Sequence, residues 1–158
     1  MKKLNFILAG IAAFGMVSCS DDDNSSSNNN GNDANLTEIR DAVRAGTWKI
    51  SNYEDNGVNE TADYSGYNFT FGPNNILTAS NGTNTYTGTW SVTNDDSSSD
   101  DDNNSGNDVD FDISFNSPAI LAEISDDWDI AGFNESSLML IDVSGGNGGT
   151  DRLAFQKN

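Results

Sequence analysis

Residues 109 to 115 read VDFDISF. Val109, Phe111, Ile113 and Phe115 are apolar, and Asp110, Asp112 and Ser114 between them are polar. Successive side chains of a strand point to opposite faces, so strict alternation with period two predicts a half-buried strand with one wet face. The same signature recurs along the chain. TWKISNY places Trp48 and Ile50 on one face, YNFTF aligns Tyr67, Phe69 and Phe71, and ILTAS follows a GPNN turn. YTGTWSV puts Tyr86, Gly88, Trp90 and Val92 on one side, and WDIAGF, SLMLIDV and RLAFQK complete the set. The dipeptide Asn81-Gly82 between ILTAS and YTGTWSV is a hairpin signal. Eight strands joined mostly by short turns predict an antiparallel up-and-down meander, and eight strands close well into a barrel. The expected fold is therefore all-β.

Ahead of the strands, NLTEIRDAVRAG predicts one short helix. Asn35 stands as N-cap with Glu38 at capping-box spacing, Leu36, Ile39 and Val43 form one apolar face, and Gly46 stops it. So short a helix is stable only when docked. SPAILAEIS, just before Trp128, is open to two readings: an added strand or a short helical cover.

The chain carries 25 acidic and 7 basic residues and no histidine. Nucleic acid and anionic membrane surfaces are repelled by this balance, so neither is an expected partner. Without histidine, Ser-His-Asp, Cys-His and histidine-zinc centres are excluded. Carboxylate pairs are inevitable among so many acids, but none is flanked by the apolar wall that raises a pKa for acid–base work. The sequence predicts a non-enzymatic protein without a cofactor.

Cys19 is the single cysteine. Lys2 and Lys3 precede an uninterrupted run of apolar and small residues, Phe6 to Val17. That run is too short for the roughly 20 residues of a membrane-spanning helix but suits the core of a secretory signal. Met16, Val17, Ser18 and Cys19 then resemble the lipobox of bacterial lipoproteins. The resemblance implies a signal peptide over 1–18 and diacylglycerol on the Cys19 sulfur. Cleavage before Cys19 exposes an amine able to take a further acyl chain, such as palmitate. Two or more chains anchor stably, because each buried CH₂ contributes about 0.8 kcal/mol. Loss of Lys2 and Lys3 with the leader takes the formal charge from −18 to −20. Ser20, Asp21, Asp22 and Asp23 resemble the acidic export signal of Gram-negative lipoproteins displayed on the outer surface. The implied address is the outer membrane, lipid-anchored and facing the exterior. The polar stretch to Ala34 buries too little to offset its ordering entropy, so residues 19–34 are expected to be a disordered tether and 35–158 the domain.

An acidic insertion, residues 94–108, repeats the composition of the tether between two strands. Within it, Asp101, Asn103, Ser105 and Gly106 match the first half of an EF-hand-type loop, with Asp112 at its twelfth position. No flanking helices are evident and Asp112 belongs to a strand's wet face, so a disordered insertion is favoured and no metal is assigned. SGGNGG, residues 144–149, has no helix after it and reads as a hairpin loop.

A short helix leading into Gly46-Thr47-Trp48 resembles the G-x-W start of lipocalins. Phe69-Thr70-Phe71, Gly88-Thr89-Trp90 and Trp128-Asp129-Ile130, in that order, resemble the lipocalin-like domains of bacterial surface lipoproteins. The resemblance spans about residues 36 to 157 and implies a barrel able to hold a small ligand. In lipocalins a late Arg packs across the first-strand Trp. Here the late Arg is Arg152, inside the expected last strand, and no disulfide can form with one cysteine. Trp48, Phe69, Phe71, Tyr86, Trp90, Phe111, Phe115 and Trp128 point inward, either as ligand lining or as core. An eight-stranded barrel admits either outcome, and this many aromatics favours filling. Tyr53, Tyr64 and Tyr67 are candidates for the rim of an open end. Two functions follow: a surface binding module for a small apolar or glycan ligand, or a structural or accessory protein acting on another cell-surface component.

Overall fold

The computed structural model describes residues 30–94, 109–143 and 149–158, with side chains described from Asn35 onward. Helix α1 (Asn30–Arg44) leads into β1 (Trp48–Asp55), β2 (Val58–Asn59), a 3-10 turn (Thr61–Tyr64), β3 (Asn68–Phe71), β4 (Ile76–Ser80) and β5 (Thr85–Asn94). Then come β6 (Val109–Ser114), helix α2 (Ala119–Ala122), β7 (Asp127–Asn134), β8 (Ser137–Val143) and β9 (Thr150–Lys157). Every pairing is antiparallel, consecutive from β3 to β9, and β9 returns to β1. The sheet is thus a closed eight-stranded barrel, as the alternation predicts, and β2 is a two-residue flap on β1. SPAILAEIS resolves as helical cover.

Helix α1 begins five residues before the expected N-cap. Asn35 therefore lies inside the helix, and Asn30–Ala34 belong to it rather than to the tether. Backbone bonding to the following turn outcompetes the capping bond Asn35 offers locally. The C-terminus ends as expected at Gly46, whose φ of 114° suits glycine.

Two seams close the barrel unequally. β1 pairs β9 from Trp48↔Lys157 to Glu54↔Arg152, but meets β3 at one pair, Trp48↔Phe69. Beyond that pair the gap is spanned by the 3-10 turn. A register shift between Ile50 and Asn52 bulges β1 at Ser51, so Ile50 and Tyr53 both face inward despite their odd spacing. Tyr53 and Tyr64 then meet edge to face at 5.3 Å across the thin seam.

Both ends are plugged. α1 lies where β1 starts and β9 ends, burying Leu36, Ile39 and Val43, and its Arg40 guanidinium donates to the Val92 carbonyl. α2 lies where β6 ends and β7 begins, burying Leu121 and Ile124. Ser125 ties that plug to β6 by accepting the Phe115 N–H at 2.8 Å.

The wet face of β6 and β7 is a carboxylate ladder: Asp110 stands opposite Asp129, and Asp112 opposite Asp127. Like charges directly opposite destabilise a pair. Ser91 donates its hydroxyl to Asp112. Partial burial, then the Asp112 charge and hydrogen bond, then Asp126 and Asp129, push the Asp127 carboxyl above its ordinary value. A carboxyl raised in the folded state favours folding while protonated, and that contribution is lost as pH climbs through its folded value. Asp127→Asn should therefore raise the neutral-pH melting temperature by about 1–4 °C. The gain should vanish below about pH 3.9, where the carboxyl is protonated folded and unfolded alike. Thermal melts of both proteins across that range check it; an unchanged or lower melting temperature at pH 7 would contradict it.

Candidate functional site

The eight aromatics expected to face inward converge. Trp48, Phe69, Phe71, Phe111 and Trp128 are essentially sealed from solvent, Trp90 and Phe115 are buried, and Tyr86 is half-buried against the core. The Phe71 ring makes edge contacts with Trp90 at 5.4 Å, Phe111 at 5.6 Å, Phe155 at 5.6 Å and Trp48 at 6.4 Å. Edge-to-face pairs add about 0.5–1.5 kcal/mol each beyond the area they bury. Aliphatic Leu77, Leu138, Leu140 and Leu153 join this core. Gly88 shows how tight the packing is: a Cβ there would fall 2.7 Å from Phe115 Cδ1 and against the Ser114 carbonyl oxygen. The glycine of Gly88-Thr89-Trp90 makes room for the Phe115 ring. Among the described residues the buried side chains are aliphatic or aromatic, and one buried side-chain oxygen, Asn94 Oδ1 at the end of β5, has no hydrogen-bond partner.

The tyrosines divide. Tyr53 and Tyr64, expected to be possible rim residues, are core: their hydroxyls donate to the Glu123 carbonyl at 3.0 Å and the Ile120 carbonyl at 2.9 Å, fastening α2. Burial, then neighbouring carboxylate charge, pushes the Tyr53 phenol up to about 12, and burial, then the facing Tyr53, raises the Tyr64 phenol. Tyr67 stays partly open beside Tyr86, with ring centroids 6.4 Å apart. Cys19, Ser20, Asp21, Asp22, Asp23, Asp101, Asn103 and Ser105 lie outside the described residues. Asp112 is in the carboxylate ladder of β6. Among the described residues no cluster of three or more metal-ligating side chains occurs.

The sequence reading missed Lys157. Its ammonium lies 5.0 Å from the centre of the Trp48 ring. Arg152, five residues earlier, lies away from that ring and forms an ion pair with Glu54 at 4.0 Å. Lys157 also donates to the Ala42 carbonyl at 3.5 Å, and Trp48 Nε1 donates to the Val43 carbonyl at 2.7 Å. Both bonds satisfy carbonyls at the C-terminus of α1, where a positive charge is favoured by the helix dipole.

Beside this capped helix end opens a groove of about 830 Å³. Glu38, Asp41, Ala42 and Ala45 of α1 form one wall, the β7–β8 turn from Phe133 to Ser136 the other, and Lys157 lies between them. Asn134 holds the turn, its Oδ1 accepting the Ser136 N–H at 2.9 Å and hydroxyl at 3.0 Å. The Lys157 N–H donates to the Ser136 carbonyl at 3.0 Å, tying strand end to turn. The groove is thus walled by fixed backbone. Compared with protein-family models, curated proteins and solved structures, the chain matches none.

The Trp48–Lys157 contact can be weighed directly. A cation over a ring is worth about 0.5–1 kcal/mol at a partly open site. Lys157→Met, which keeps the stem but not the charge, should cost about that much in urea unfolding, whereas Lys157→Arg should retain it. Equal loss in both variants would show that the charge contributes nothing.

Proposed function

We propose that the chain is a lipid-anchored, outward-facing surface protein without enzymatic activity, whose packed barrel works through its exterior. The observation that carries this reading is the filled interior: sealed aromatic rings occupy the barrel axis, helices plug both ends, and the buried tyrosine hydroxyls and tryptophan N–H groups are already bonded to backbone carbonyls. A pocket that binds a small molecule usually combines apolar walls with a few placed polar groups. The barrel therefore serves as a rigid scaffold that presents loops and grooves to another surface component.

Anchoring rests on Cys19 and its lipobox, and display rests on Ser20 to Asp23. From Cys19 to Asn30 the chain can reach at most about 40 Å. That reach keeps the barrel close to the anchoring lipid.

Two measurements test the reading. Nile red, an uncharged apolar dye, should show no saturable, one-to-one fluorescence gain with the folded protein; stoichiometric binding competed by fatty acid would restore an internal ligand site. In the host, Cys19→Ala should stop incorporation of labelled fatty acid and move the protein out of the membrane fraction. Alanine at Asp21, Asp22 and Asp23 should leave labelling intact but protect the protein from protease added to whole cells. Membrane retention of the Cys19→Ala protein, or unchanged shaving of the triple variant, would contradict anchoring or display respectively.

A further inference from the structure

Asn56-Gly57 and Asn81-Gly82 are the same dipeptide, and the fold sets each in a hairpin turn. In both, glycine places an unhindered backbone nitrogen beside an asparagine side-chain amide: a Cβ at Gly57 or Gly82 would meet nothing within 4 Å. That nitrogen can attack the side-chain carbonyl carbon. Such a reaction is governed by how the nitrogen is positioned and by how the negative charge that forms on Oδ1 is received. The two turns differ in the second respect.

Asn81 Oδ1 accepts two backbone N–H groups, from Thr83 at 3.2 Å and Asn84 at 2.8 Å. The loop is closed by the Asn81 N–H, which donates to the Asn84 carbonyl at 3.2 Å, and by the Ser80 hydroxyl, which donates to the same carbonyl at 3.3 Å. The Gly82 N–H makes a long contact, 3.4 Å to Ser80 Oγ. No residue from Ser80 to Thr85 is charged. Asn56 has the opposite surroundings. Its N–H donates to Asp151 Oδ1 at 2.7 Å and its Nδ2 to Asp55 Oδ1 at 2.7 Å. Its Oδ1 is packed against Gly149, where a Cβ would fall 1.9 Å from it. Two carboxylates beside a group oppose any anion formed there.

We propose that Asn81 is a site of spontaneous deamidation that the fold activates, whereas Asn56 is one that the fold protects. Hydroxide removes the Gly82 N–H proton and the nitrogen bonds to Asn81 Cγ. The carbonyl electron pair moves onto Oδ1, between the Thr83 and Asn84 N–H groups. Collapse breaks the Cγ–Nδ2 bond, and Nδ2 takes a proton from water and leaves as ammonia. The succinimide ring that remains is opened by water at either carbonyl, giving aspartate or isoaspartate. One water is consumed, one ammonia is released, and a neutral side chain becomes a carboxylate. The aspartate product keeps both N–H bonds, now charge-assisted. The isoaspartate product lengthens the backbone of the turn by one carbon.

Incubation of the full chain in mildly alkaline, heavy-oxygen water, followed by peptide mapping in a mass spectrometer, provides the test. The heavy oxygen marks only those residues hydrolysed during the incubation. In the folded protein Asn81 should convert about tenfold faster than Asn56, and faster than the same Asn81 in urea. In urea the gap between the two sites should narrow, because the turns no longer exist. Asp151→Asn should speed conversion at Asn56 and leave Asn81 as it is. Equal rates at the two asparagines in the folded chain, or the same gap in urea, would overturn the inference. So would slower conversion of Asn81 folded than unfolded, because the two N–H bonds would then lock the amide rather than receive its charge. An Asn56 rate unmoved by Asp151→Asn would overturn its protection by charge.

Discussion

Trp48 is the residue on which the barrel closes. It pairs with Phe69 on one side and Lys157 on the other, so it stands in both seams that join the first strand to the rest of the sheet. Its indole N–H holds the last turn of α1, its ring faces Phe71 inside, and the Lys157 ammonium covers it. Helix plug, seam and core therefore share one side chain. Because β1 meets β3 at that single pair, the seam beyond it relies on side chains, and the bulge at Ser51 turns Tyr53 inward to meet Tyr64 there.

Filling the interior changes what the barrel can do. Each fully buried large apolar side chain contributes about 1.5–3 kcal/mol of transfer free energy, and aromatic rings are the most economical way to occupy a narrow barrel axis. That stability leaves the outside free to carry charge that would otherwise be a liability. The carboxylate ladder on β6 and β7 is one such expense, tolerated on the wet face of a short pairing. The groove beside α1 is another region where carboxylates gather, around the Lys157 ammonium that meets the helix end.

Much of the inward set was legible because alternation is a local signal. Phe69, Phe71, Trp90, Phe111 and Trp128 can each be assigned a face from their own strand. Where a strand bulges the rule fails, as at Tyr53, since one extra residue moves every later side chain to the other face. Tyr64 was misread for a different reason. It looks like rim in a polar stretch, but its hydroxyl reaches Ile120, 56 residues on, and so belongs to the plug. The start of α1 was missed because NGNDA, residues 30–34, carries no apolar periodicity.

The sequence by itself determined the strand content, the antiparallel meander, the inward aromatics, the acidic surface and the exclusion of histidine chemistry. Each follows from composition or from patterns a few residues long. Tertiary structure alone decided that Lys157 rather than Arg152 covers Trp48, that α2 and two tyrosines shut one end, and that α1 and the β7–β8 turn enclose a groove. These depend on register, and register is fixed by the closing of the whole barrel. Lys157 and Ala42 meet across 115 positions of chain. No local period records such a contact, because it exists only once β9 has come round to β1.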